Sequence, residues 1–93
     1  MFYGCMNHLK NMKIAKISDN QVKCTLSSFE LSLRNLKVGE LAYGSEQVKS
    51  LFAEMMQKAY SEVGFDTEDY PVMIETIPMK DDGVELFITR VEE

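Results

Sequence analysis

The stretch from Gly44 to Phe65, GSEQVKSLFAEMMQKAYSEVGF, limits this chain's options more than any other. Val48, Leu51, Phe52, Met55, Met56, Ala59, Tyr60 and Val63 recur at i, i+3, i+4 and i+7, the signature of one helix face. Ser45 is the expected N-cap, Glu46 complements the positive end of the helix dipole, and Gly64 supplies the stop. The outer face carries Lys49, Glu54, Gln57, Lys58, Ser61 and Glu62, with Glu54 and Lys58 placed as an i, i+4 ion pair. So continuous an apolar stripe must be covered, and the rest of the chain has to supply the cover.

That cover is a sheet. MKIAKIS (12–18) reads as a weak strand, because Met12, Ile14 and Ile17 do not alternate cleanly. Asp19-Asn20 is a turn pair, and QVKCTLS places Val22, Cys24 and Leu26 on one face with Lys23, Thr25 and Ser27 on the other. Ser27-Ser28-Phe29-Glu30 fits a capping box opening a short helix, which Asn35 closes in the left-handed conformation. A single helical turn is expected around Val38 to Ala42. After the long helix, PVMIETIPM reads as a strand, KDDG as a turn and VELFITRV as the last strand. Pro78 cannot donate to a ladder and marks an edge or a strand end. The order β-β-α-α-β-β predicts an α+β domain, an antiparallel four-stranded sheet with the long helix (about 45–63) on one face.

Ninety-three residues with 45% hydrophobic and 27% charged side chains suit one soluble globular domain. No apolar run approaches a membrane span, and the start MFYGCMNHLKN lacks the layout of a secretory signal, so the cytoplasm is the expected location. Met1 to Asn11 shows no periodicity and is expected to pack little, as a leader from an upstream start or an added segment. Cys5 and Cys24 match no metal or redox spacing and are expected as free thiols. Net charge is −5, with the excess of acids concentrated after residue 37. That balance disfavours nucleic acid and leaves a basic protein partner open.

No catalytic constellation is present. His8 is the single histidine, which removes a His-based triad or a multi-histidine metal site. Asp66, Glu68 and Asp69, and the pair Asp81 and Asp82, read as acidic turn residues without EF-hand spacing. The chain is therefore expected to act without cofactor, metal or catalytic residue.

From Met12 to Glu93 the sequence resembles the amino-terminal domain of the MecA adaptor family. MKIAKISDNQVKCTLS resembles the family's opening hairpin. SSFELSLRNL resembles its Ser-x-x-Asp-Ile-Glu-x-Arg-Gly-Phe stretch, with Asn35 at the glycine and Leu36 at the phenylalanine. SLFAEMM resembles the Phe-Phe-Trp-x-Met-Met core of the long helix, and KDDGVELFITRV the closing hairpin. Ala42 and Ala53 stand where many members have tryptophan, so contacts made by those rings are absent. The resemblance implies a non-enzymatic domain that recognises target proteins, such as competence regulators. In the family a second domain, which follows a linker, docks on the AAA+ unfoldase ClpC. A self-associating module, such as a homodimer joined through its strands, is the alternative from another class.

Alternation also places a candidate binding surface. If Val84, Leu86 and Ile88 face the helix, then Glu85, Phe87, Thr89 and Val91 point away from it, joined by Met73, Glu75 and Ile77. Phe87, Val91, Met73 and Ile77 are expected to form an apolar patch rimmed by carboxylates, suited to a protein partner. The acidic loop Asp66 to Tyr70 is the second candidate.

Overall fold

Asp19 and Asn20 turn the chain between β1 (Lys13–Ser18) and β2 (Gln21–Leu26), as the turn pair predicts. These strands belong to a computed structural model that describes residues 12–92; the expectations for the leader, Cys5 and His8 lie outside those residues. The β1–β2 register runs Lys13↔Thr25 to Lys16↔Val22 and then shifts to Ser18↔Gln21. Ile17 is the extra residue of this bulge and is half-exposed, which is why the apolar alternation of the first strand breaks there.

Helix α1 (Ser28–Leu33) opens on the expected capping box. The Ser27 hydroxyl accepts from the Glu30 N–H at 3.1 Å, and a Glu30 carboxylate oxygen accepts from the Ser27 N–H at 3.1 Å. Its end is a Schellman motif. Asn35 takes φ 57°, its N–H reaches the Ser32 carbonyl, and the Leu36 N–H reaches that of Leu31. Leu31 and Leu36 are both buried in the core, so the cap also fixes where the chain leaves the helix. A 3₁₀ turn follows at Val38–Ala42 and buries Leu41.

Helix α2 (Glu46–Val63) begins at Ser45, whose hydroxyl accepts from the Val48 N–H, and ends at Gly64 with φ 71°. The centre of its stripe, Val48, Leu51, Met55 and Ala59, is buried, while Phe52, Met56 and Val63 flank the core half-covered. Tyr60 departs from the expected core set and is 61% exposed. It lies about 120° round the helix from Val48, past the edge of what a small sheet can cover. Glu54 also departs from expectation. It meets the Arg34 guanidinium at 2.9 Å, tying α2 to the end of α1, while Lys58 pairs with Glu62 at 2.8 Å.

Strands β3 (Val72–Pro78) and β4 (Val84–Arg90) complete an antiparallel sheet in the order β1-β2-β4-β3. The α+β architecture read from the sequence is the one observed. Val22, Cys24 and Leu26 of β2 and Val84, Leu86 and Ile88 of β4 have no exposed surface, and these two strands hold the centre. The β3–β4 turn depends on contact as well as conformation. Asp82 carries the positive φ, whereas Gly83 lies so close to β2 that a Cβ there would sit 2.7 Å from the Leu26 carbonyl oxygen. Among the described residues, no helix is long and apolar enough to cross a membrane.

Candidate functional site

Only one face of the sheet is covered by α2. Pairing of Met73 with Thr89, Glu75 with Phe87 and Ile77 with Glu85 brings all six side chains to the opposite face, as the alternation predicts. Met73, Ile77 and Val91 are about half-exposed, Glu75 is exposed, and Glu85, Phe87 and Thr89 are half-buried. Val91 lies just beyond β4, where its N–H reaches the Pro71 carbonyl at 2.8 Å.

The neighbouring strand β2 adds further residues to this face. Lys23 stands opposite Phe87, Thr25 opposite Glu85 and Gln21 opposite Thr89. The Lys23 ammonium lies 3.5 Å from the Glu85 carboxylate, and the Gln21 side-chain amide donates to the Thr89 hydroxyl at 3.1 Å. Phe87 therefore sits between Lys23 and Glu75 across the sheet. The apolar side chains interleave with charged ones instead of forming an unbroken patch inside a rim of carboxylates. The signal was in the sequence: Lys23 and Thr25 occupy the polar positions of QVKCTLS, which must share the face of Glu85 and Phe87 once β2 and β4 pair.

The acidic loop is fastened at one point. Arg90, at the end of β4, donates to the carbonyls of Asp66 at 3.0 Å and Asp19 at 2.9 Å, and its charge meets Glu92 at 3.1 Å. The guanidinium also lies 4.6 Å from the Tyr70 ring centre and 5.5 Å from that of Phe65, a double cation–π contact. One side chain thus joins the first hairpin, the loop after α2 and the end of the sheet. Arg90 holds Asp66 by its carbonyl, while the exposed Asp66 carboxylate accepts from the Glu68 N–H at 2.9 Å within the loop.

A separate depression of about 370 Å³ lies between α1, the 3₁₀ turn and Asp82, lined by Leu31, Leu36 and Val38 among others. Among the described residues, no group of three or more His, Cys, Asp or Glu side chains could hold a metal. Cys24 is free and buried beneath α2, and burial, reinforced by the charge of Glu30, pushes its thiol up to about 12. A thiol so poorly ionised makes an inert core residue, not a nucleophile.

Residues 12–93 match the family described as "Negative regulator of genetic competence (MecA)". The chain is 30% identical over 79 residues to "Adapter protein MecA 2" of Bacillus cereus, covering 85% of this chain and 39% of that protein. It is 30% identical over 82 residues to "Adapter protein MecA" of Oceanobacillus iheyensis, covering 88% of this chain and 42% of that one. The chain thus spans about two fifths of the length of these curated relatives. A solved structure, "Structure determination of substrate binding domain of MecA", superposes with a TM-score of 0.68 at 28% identity, covering 86% of this chain and 87% of that chain.

Proposed function

The chain belongs to the MecA family, and from that premise we propose that it is an adaptor's target-recognition domain, binding proteins through the open face of its sheet. The observation that carries this reading is the likeness to the substrate-binding domain of MecA over most of both chains. The open face suits the task. Met73, Ile77, Phe87 and Val91 offer apolar area, and Lys23, Glu75 and Glu85 offer charges that can select among partners. Recognition here is non-enzymatic and belongs in the cytoplasm. Delivery to a ClpC-type unfoldase would fall to a second domain of the family's longer members, and the targets would include regulators of competence. Joined to such a domain, this one would raise the target's effective concentration at the unfoldase without changing a bond.

The test is the double variant Phe87→Ser with Ile77→Ser, titrated by calorimetry against a competence regulator, with circular dichroism to check folding. The expected outcome is an intact fold and an affinity lower by at least about tenfold, equivalent to about 1.4 kcal/mol. Binding as tight as that of the parent would move the site elsewhere, first to the loop Asp66 to Tyr70.

A further inference from the structure

The two outer strands of the sheet end the ladder in different ways. In an antiparallel pair, successive residues direct their backbone groups to opposite sides. The Val91 N–H reaches the Pro71 carbonyl, and the Met79 N–H reaches the Gly83 carbonyl. With the register Met73↔Thr89, Glu75↔Phe87 and Ile77↔Glu85, the odd-numbered residues of β3 bond to β4. Val72, Ile74 and Thr76 therefore turn their N–H and carbonyl groups outward, along an edge that no strand among the described residues occupies. On β1 the same reasoning, started from the Arg90 N–H on the Asn20 carbonyl, leaves only Ile14 and Lys16 facing out before the Ile17 bulge twists the edge away.

Charge separates the edges further. Between residues 66 and 85 there are seven acids and one base, Lys80, and β3 runs between the acidic loop Asp66–Asp69 and the acidic turn Asp81–Asp82. Along β1 the strand itself contributes Lys13 and Lys16. Thr76 and Pro78 are exposed, and Val72 and Ile74 are only half-covered where they pack against the core, so β3 is accessible from its edge and from the open face.

We propose that the outer edge of β3, from Val72 to Thr76, takes up an extended basic segment of a target protein as a fifth strand. This rests on the target-recognition reading above and deepens it. The outward amides and carbonyls supply affinity that is indifferent to sequence, and the flanking carboxylates select lysine or arginine. A second copy is the poorer occupant. Two β3 edges would bring Glu75 and both acidic segments against their own kind. Docking β3 on a neighbour's β1 would be heterologous, building a ring or an open filament, with the bulge cutting the pairing short.

The probes are two acetylated nonapeptides, one alternating lysine with valine and one alternating glutamate with valine, titrated by calorimetry into the whole chain. The decisive variant is Thr76→Pro. It removes an outward donor at an exposed position and spares every bond to β4, since proline is tolerated on a free edge. The lysine peptide should bind the parent at least about tenfold tighter than the glutamate peptide, and Thr76→Pro should lose at least about tenfold of that affinity. If thermal denaturation shows Thr76→Pro unfolded, Glu75→Lys takes its place and should weaken the lysine peptide while strengthening the other. Equal binding of the two peptides, or a folded Thr76→Pro that binds like the parent, overturns the proposal. So does light scattering that shows the parent's mass growing with concentration, because the edge is then taken by a second copy. Running the regulator titration with the same variant keeps the two readings apart. A regulator that binds parent and Thr76→Pro alike removes the edge and leaves the adaptor reading standing. One that binds neither removes the adaptor reading, and the peptides still decide the edge.

Discussion

Along β4, Val84, Leu86 and Ile88 have no exposed surface, while Glu85, Phe87 and Thr89, each one residue further on, are only half-buried. The first set meets α2 across a core without a buried polar or charged side chain among the described residues. The second lies on a face that neither helix covers, mixed with Lys23, Thr25 and Glu75. A strand's period of two thus divides one segment between the core and an open face, to which the proposed function assigns recognition. Substitutions one position apart should therefore damage different properties, and that contrast can be broken by measurement.

The largest expected effect is on the covered face. Leu86→Ala leaves a cavity under α2 and should cost about 2–5 kcal/mol in chemical denaturation, a large share of what holds a domain of this size together. Leu51→Ala should behave alike, since Leu51 is equally buried. Phe52→Ala, for which the stripe alone suggested about 3–5 kcal/mol, should fall below Leu51→Ala, because the Phe52 ring is only half-covered. Next comes Gly83→Ala, which should cost about 1–3 kcal/mol by forcing the Leu26 carbonyl and the β3–β4 turn apart.

Cys24 sharpens the contrast through pH. Its thiol ionises ordinarily near 9.0 and near 12 in the fold, so the native state keeps a proton that the unfolded chain releases. The resulting stabilisation is fully present below pH 9 and is lost as pH rises from 9 towards 12. Denaturation midpoints of the parent should fall over that alkaline range more steeply than those of Cys24→Ala, and parallel slopes would place the thiol in solvent. The smallest effect belongs to the open face. Ile77→Ser should stay within about 0.5 kcal/mol of the parent, as exposed sites usually do. A loss of several kcal/mol would mean that this face is packed after all.

Most of this architecture was legible because local signals agreed. Ser27 and Glu30, Asn35, Ser45 and Gly64 each mark a helix end by a side-chain or backbone requirement that acts within a few residues. The open face was legible for the same reason, since alternation fixes which residues of β3 and β4 share it. What escaped was long-range. Lys23 joined the surface only when β2 was known to pair with β4 and not to lie outside it. Arg90's hold on Asp19, Asp66 and Tyr70 spans the chain, and nothing in VELFITRV announces it. Glu54 chose Arg34 on another helix over Lys58 on its own, because a guanidinium held at the end of α1 was already in reach. Gly83 read as an ordinary turn glycine, whereas its need for a missing side chain comes from β2.

The division of labour between the two faces is tested most directly by amide shift mapping on the isotope-labelled chain, titrated with a competence regulator that binds it. Perturbations should centre on Met73, Glu75, Ile77, Lys23, Phe87 and Thr89, with the outer side of α2 at Lys49, Gln57 and Ser61 unmoved. Shifts concentrated instead around Phe29, Leu33 and Leu36, with the open face silent, would contradict the account.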